Sequence, residues 1–252
     1  MSAISTPTVV ADGRRDARPA LLLAGACVAA MALTWVLAAL VPATHTRDAI
    51  VLYDFTRLDR PIVEAPAKLL LALLEPAFFI VWGVALVALA AVRGRPRVGL
   101  AVALVLSLAP LSSELLKPLV AHPHLQVTPV YITGASWPSG HATAVTALVW
   151  CAVIVAPPVR RRAIAIGGVL LAIAVGCSLL ILAWHMPSDV LGGYLMGTLW
   201  AALAIAALRA VGPRGSLRGG IRRSHQPSRA HAHPEPIAAR LPSWMDPHSQ
   251  RG

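Results

Sequence analysis

Residues 163–210 read AIAIGGVLLAIAVGCSLLILAWHMPSDVLGGYLMGTLWAALAIAALRA. Two apolar runs, Ala163–Trp184 and Val190–Ala210, flank a short polar stretch that contains His185 and Asp189. A run of about 20 apolar residues crosses a bilayer as a helix. Neither run alternates with period 2, so helices are favoured over the strands of a membrane barrel. The stretch therefore reads as two membrane helices joined by a polar turn. His185 and Asp189 are four apart and meet if the turn is helical. Asp189 then holds the Nδ1–H of His185 and leaves Nε2 free as nucleophile or base. The same residues also fit a plain helix start capped by Ser188 or Asp189.

Four more apolar runs precede these two: Ala20–Val41, Ala67–Val92, Val98–Leu116 and Ala142–Ala156. The second is interrupted by Lys68, Glu75 and Pro76, and the fourth is short unless Ser139–His141 form its first turn. The first run is longer than a signal-peptide core, and Arg14-Arg15 before it serve as an inside anchor rather than a twin-arginine signal. The expected fold is all-α, a six-transmembrane-helix bundle spanning 20–210. A cytoplasmic N-terminal segment, 1–19, precedes it, and a basic disordered tail, 211–252, follows.

The whole composition agrees with a membrane protein. The chain has 252 residues, is 57% hydrophobic and 13% charged, and has a mean hydropathy of +0.68. Soluble domains carry about 25% charge, and disordered chains lack the apolar content. Cys27, Cys151 and Cys177 all lie in apolar runs and read as small buried hydrophobes. The net charge of +11 would suggest nucleic acid in a soluble protein. Its distribution says otherwise. With the amino terminus cytoplasmic, 17 of the 22 Lys and Arg fall on the inside. The inside then sums to +13 and the outside to −2. By the positive-inside rule both termini are cytoplasmic. No nucleic-acid partner is needed, and tail arginines near the bilayer face anionic lipid. His231 and His233, in that tail, read as solvated residues rather than metal ligands.

Polar residues at span ends are candidates for function. By this topology Lys117, Ser139-Gly140-His141, Ser178, His185 and Asp189 share the outer face. Pro138-Ser139-Gly140-His141 reads as a helix start. Free N–H groups and the helix dipole favour an anion there, glycine permits close backbone approach, and Ser139 adds a hydroxyl. The alternative is that Ser139 is only an N-cap and Gly140 only a packing residue. Glu114 and Lys117, three apart, can pair, so Glu114 balances the lysine's charge. Glu75 reads as having a structural partner on a neighbouring helix. Gly193 and Gly197 form a small-xxx-small pair for close helix packing.

In order and spacing these pieces resemble the type-2 phosphatidic acid phosphatase superfamily, which contains lipid phosphatases and the vanadium haloperoxidases. The family pattern is Lys-x6-Arg-Pro, then Pro-Ser-Gly-His, then Ser-Arg-x5-His-x3-Asp. Here Pro138–His141 match in full, Ser178, His185 and Asp189 match at the family spacing, and Lys117 matches the first motif. The resemblance implies that His185 is a nucleophile forming a phosphohistidine, oriented by Asp189. It implies that His141 is the general acid. It implies that Lys117, Ser139, Gly140 and Ser178 hold phosphate, without metal or other cofactor. The two pattern arginines are replaced by His124 and Leu179. Two lost charged hydrogen bonds cost about 3–6 kcal/mol, roughly a hundredfold to ten-thousandfold in rate. His122 and His124 substitute in part when cationic. On this reading, restoring both arginines raises turnover.

The function so implied is a cell-membrane phosphatase with its site facing the periplasm or exterior. It acts on a lipid phosphate or a polyprenyl pyrophosphate whose chain enters from the bilayer. The alternative is a weakened or inactive member that binds lipid phosphate or serves as a scaffold. A transporter lacks the expected inverted repeat, and a soluble haloperoxidase would not carry six lipid-length runs.

Overall fold

The computed structural model describes residues 10–121, 132 and 134–211, with side chains from residue 17 onward. Expectations for residues 1–9, for His122 and His124, and for the tail from 212 lie outside the described residues. Eight helices, and no strand, occupy the described residues: α1 Val10–Leu40, α2 Pro42–Thr56, α3 Pro61–Ala72, α4 Pro76–Val92, α5 Pro96–Leu116, α6 Gly140–Val155, α7 Pro158–Ile181 and α8 Pro187–Ala210. The all-α expectation holds.

Four helical segments are long and apolar enough to cross a membrane: Ala17–Leu40, α5, α7 and α8. The pair α3 and α4 is long and apolar enough only when taken together, and it is bent by 55°, the form of a broken span or a re-entrant loop. The bend has a local cause. Pro76 has no N–H to donate and pushes Glu75 into extended backbone, with φ −59° and ψ 155°. The run Ala67–Val92, expected as one span, is thus broken at residues 73–75. The fourth run, Ala142–Ala156, forms α6, whose 16 residues are shorter than a full crossing. Its N-cap is Ser139, so Gly140 and His141 do form its first turn.

Proline punctuates the chain. Six of the eight helices open on it, where a missing N–H costs nothing and the fixed φ suits the first turn. Helix α6 opens instead on Gly140-His141 and keeps those donors.

Helix α6 is surrounded. Ala142 to Ala147 are buried without interruption, which fits a helix with no polar face. It packs against α4, α5, α7 and α8, and α1 lies along α8. The approach of α8 to α6 depends on glycine. A Cβ at Gly193 would stand 2.5 Å from the Ser139 carbonyl oxygen, and one at Gly197 would stand 2.8 Å from that of Thr143. The expected small-residue packing is therefore the contact between these two helices.

The two ends of the bundle differ. Arg93 and Arg95, between α4 and α5, donate to the Val155 carbonyl at the end of α6, and Arg97 donates to that of Val211 after α8. Arg161 donates to Ala156. Ala17 and Ala20 of α1 meet Ala206 near that same end. The motif residues all lie at the opposite end. Between the ends, large apolar residues such as Leu22, Ile62, Leu100 and Leu170 face outward, a surface unlike that of soluble monomers. Cys27 and Cys151 are buried and Cys177 is half-buried.

Candidate functional site

Three helix ends meet around a cavity of about 500 Å³. The end of α5 brings Glu114 and Lys117, the start of α6 brings Gly140 and His141, and the α7–α8 turn brings Ala183, Trp184 and His185. Ile132 closes part of the wall.

The turn is built by hydrogen bonds. Helix α7 ends with Ala183 N–H on the Leu180 carbonyl at 3.1 Å and Trp184 N–H on that of Leu179 at 2.9 Å. This is a Schellman closure, which places its C′ residue in the left-handed region. Ala183 sits there, with φ 56°. The end of α4 makes the same pair of bonds with Gly94 at that position. Alanine tolerates this region less well than glycine, so the turn carrying His185 is strained where the other is not.

Asp189 is fully buried in the first turn of α8 rather than lying in the loop before it. Its Oδ2 accepts the Met186 N–H at 2.9 Å and faces Nδ1 of His185 at 3.4 Å. The Ser136 side chain lies against the same carboxylate. The His–Asp contact expected from the spacing is present, and it leaves the other ring nitrogen of His185 free. The Ser139 N–H donates to the Asp189 carbonyl at 2.9 Å, which ties the start of α6 to the start of α8. Ser113 donates to the Pro138 carbonyl at 2.9 Å and fixes the same segment to α5.

Lys117 pairs with Glu114 at 2.6 Å. Glu114 is the more exposed partner, at 60% against 20%. A Cβ at Gly140 would stand 3.0 Å from Glu114 Oε1 and 3.9 Å from Lys117 Nζ, so this glycine leaves the ion pair room to approach α6. His141 packs edge-on against Trp184, with ring centroids 5.8 Å apart.

The structure does not bring every expected residue to the cavity. Ser139 is buried and its hydroxyl accepts the Ala142 N–H at 3.5 Å, which is the plain capping role. Ser178 is buried and donates to the Ala174 carbonyl of its own helix at 2.9 Å. Leu179, where the family pattern has an arginine, is fully buried in an apolar cluster with Leu71, Val175 and Met186. An arginine there would enter the core, so the expectation that it would help is revised. Among the described residues no three His, Cys, Asp or Glu are grouped to hold a metal ion.

Sequence reasoning passed over Asp48, Trp184 and Ala183. Asp48 lies in α2 and accepts two hydrogen bonds from Ser188: from the N–H at 3.1 Å and from the hydroxyl at 2.6 Å. Its partner is 140 residues away, so local spacing carried no signal. Burial pushes its carboxyl above the ordinary carboxylate range, and neighbouring Asp189 adds to this, while the Ser188 bonds and His45 oppose it. Trp184 and Ala183 looked like the apolar end of a span.

A helical membrane-type bundle here sets a buried carboxylate behind a cavity histidine, with a second histidine at a helix start and a paired lysine, groups whose chemistry suits an anion. The PAP2 superfamily model matches residues 97–212, which contain all these motifs. Over those residues, a little under half of the chain, the sequence is similar to the PAP2 superfamily. A solved structure titled as the first transmembrane PAP2 type phosphatidylglycerolphosphate phosphatase, from Bacillus subtilis, is similar in fold. The TM-score is 0.62 at 20% identity, over 72% of this chain and 93% of that one. No curated protein matches the chain.

Proposed function

We propose that the protein is a membrane phosphatase that hydrolyses a lipid phosphate or a polyprenyl pyrophosphate through a phosphohistidine. The observation that carries this reading is the cavity at one end of the bundle. It gathers His185 held by Asp189, His141, and the start of a helix that keeps its first donors.

The chemistry follows from the groups present. Nε2 of His185 attacks phosphorus while the bond to the leaving oxygen breaks. His141, protonated, gives its proton to that oxygen. Water then attacks the phosphohistidine, His141 takes a water proton, the P–N bond breaks and inorganic phosphate leaves. Asp189 orients His185 and balances the positive charge it acquires. The N–H groups of Gly140 and His141, with Lys117, hold the phosphate oxygens. Phosphoryl transfer is mainly positioning and charge stabilisation, which such groups supply. Ser139 shapes the helix start, Ser178 stabilises α7, and His124 is proposed to add a cation in part replacement of the family arginine. No metal or other cofactor enters the scheme.

The proposed topology has six crossings, with α3 and α4 as one broken span and α6 as a short central one. The arginine-rich end lies in the cytoplasm, both termini with it, and the site opens at the outer face of the cell membrane. The charge asymmetry between the ends supports this orientation. An apolar groove of about 660 Å³ between α4 and α5 begins at Pro76 and Pro110, one turn before Glu114. It supports entry of a lipid chain from the bilayer.

A second reading has its own support. Lys117 is already neutralised by Glu114, and the position of one family arginine is in the core. On that reading the protein binds lipid phosphate without turnover, or serves as a membrane scaffold.

The test is phosphate release from phosphatidate, phosphatidylglycerol phosphate and a polyprenyl pyrophosphate by the purified chain in a chelator, between pH 5 and 8. The expected result is release that His185→Ala abolishes. Release that survives His185→Ala overturns the nucleophile, and no release from any of these lipids favours the second reading.

A further inference from the structure

Asp48 stands outside the family match and outside every motif, on a helix that is not one of the span candidates. Yet it reaches Ser188, one of the three residues between the members of the His–Asp pair. Ser188 is the second residue of α8, after Pro187. Because the proline has no N–H, the Ser188 N–H is the first orphan donor of that helix. Asp48 Oδ1 accepts it and Oδ2 accepts the Ser188 hydroxyl. A carboxylate from another helix thus does the work of an N-cap, and it places negative charge at the positive helix end.

The turn from His185 to Asp189 is consequently gripped from two sides. Asp189 holds the Met186 N–H and faces His185 from within. Asp48 holds Ser188 from α2. Helix α2 is itself anchored, since Leu52, one turn after Asp48, is buried in the cluster that contains Met186 and Val190. Movement at Ser188 would be felt at both neighbours. A carboxylate bond to a serine hydroxyl and an amide is among the stronger pairings available.

We propose that Asp48 is a positioning residue: its clamp on Ser188 sets the turn that aims His185 into the cavity, which makes α2 part of the site. This rests on the reading of His185 as the nucleophile. It extends the machinery to a residue that the family pattern does not contain.

The experiment uses the full-length protein in detergent with labelled histidine. Two readouts are taken from wild type, Asp48→Ala, Asp48→Asn, Ser188→Ala and the double alanine variant. One is phosphate release from a lipid phosphate on which wild type is active. The other is the titration curve of the His185 imidazole by NMR, assigned by its loss in His185→Ala. The expected result for Asp48→Ala is a kcat lowered 10- to 100-fold with KM within twofold, and a displaced His185 curve. The double variant should be no worse than Asp48→Ala, since both remove one link. Asp48→Asn keeps the shape and one acceptor, and should fall between. A His185 curve that stays in place in folded Asp48→Ala overturns the proposal, as do losses that add in the double variant. If Asp48→Ala does not fold, Asp48→Asn decides by the same curve. A wild type that releases no phosphate from any lipid overturns the functional reading instead, and the His185 curve still decides whether Asp48 governs the turn.

Discussion

Replacing Gly193 by alanine adds one methyl group to a helix, ordinarily a mild or stabilising change. Here it is expected to be costly. The new Cβ would lie 2.5 Å from the Ser139 carbonyl oxygen, 2.7 Å from the Ala142 Cβ and 3.0 Å from the Thr143 nitrogen. Ordinary contacts begin near 3.5 Å, so α6 and α8 must separate by roughly 1 Å. Two of the three obstacles are backbone atoms, which cannot turn aside. Overpacking of this kind costs about 1–3 kcal/mol. For a chain of this size that lowers Tm by roughly 2–12 °C. The functional cost should be larger than the loss of stability. The same contact carries the Ser139 N–H bond to the Asp189 carbonyl, and so the spacing between His141 and His185. A misplacement of about 1 Å can cost on the order of 100-fold in rate. The assay is thermal unfolding in detergent, paired with phosphate release at saturating lipid. Gly167→Ala is the control, because nothing stands within 4 Å of a Cβ there, and it should be neutral or slightly stabilising. If Gly193→Ala keeps wild-type Tm and turnover while Gly167→Ala behaves the same way, the α6–α8 contact does not set the site.

Three further outcomes are expected. Ala183→Gly should raise stability by about 1 kcal/mol, read as a higher Tm, since glycine adopts φ 56° without strain; a lower Tm would mean that the methyl group, which lines the cavity, earns more by packing. Leu179→Arg should unfold the protein or greatly lower its Tm, because it buries an unpaired guanidinium among Leu71, Val175 and Met186; a folded variant with higher turnover would show that the side chain can reach the cavity. Asp48 has a carboxyl pKa raised on folding, so the folded state binds its proton more tightly than the unfolded state does. Its contribution is therefore present at low pH and is lost as pH rises from the unfolded value through the raised folded one. Wild type should lose stability relative to Asp48→Asn across that acidic window, measured as the difference in Tm between the two; a difference independent of pH would contradict the burial of this carboxylate.

Much of the fold could be read from the chain because lipid simplifies the problem. Each apolar run had to become helical, and five form a single helix while Ala67–Val92 falls across α3 and α4. Lys117, Gly140, His141 and His185 do line one cavity, a grouping that follows from placing them at span ends and needs only helix direction. What escaped were features that depend on contact between distant segments. Asp48 was passed over, because nothing in its neighbourhood points to Ser188, 140 residues away. The bend at Glu75-Pro76 was visible as a proline, yet whether a proline kinks or divides a span depends on what packs around it. Leu179 was treated as a vacancy in a motif, whereas burial makes it a core residue. Ser139 and Ser178 kept their polar atoms for the backbone, an outcome that sequence spacing does not distinguish from facing a ligand.

The proline starts have a consequence for selectivity. A bundle of helices in a bilayer holds several partly positive helix ends at the level of the phosphate headgroups, and each is a trap for those anions. A first-turn proline strips a donor from such a trap, and Asp48 fills another with a carboxylate already attached to the protein. Phosphates of the surrounding bilayer, present in vast excess, thus meet few competent docking points on this molecule. At the cavity end the helix start without a proline is that of α6, beside His185, so under the proposed function discrimination between bystander lipid and substrate begins with the ends that cannot bind.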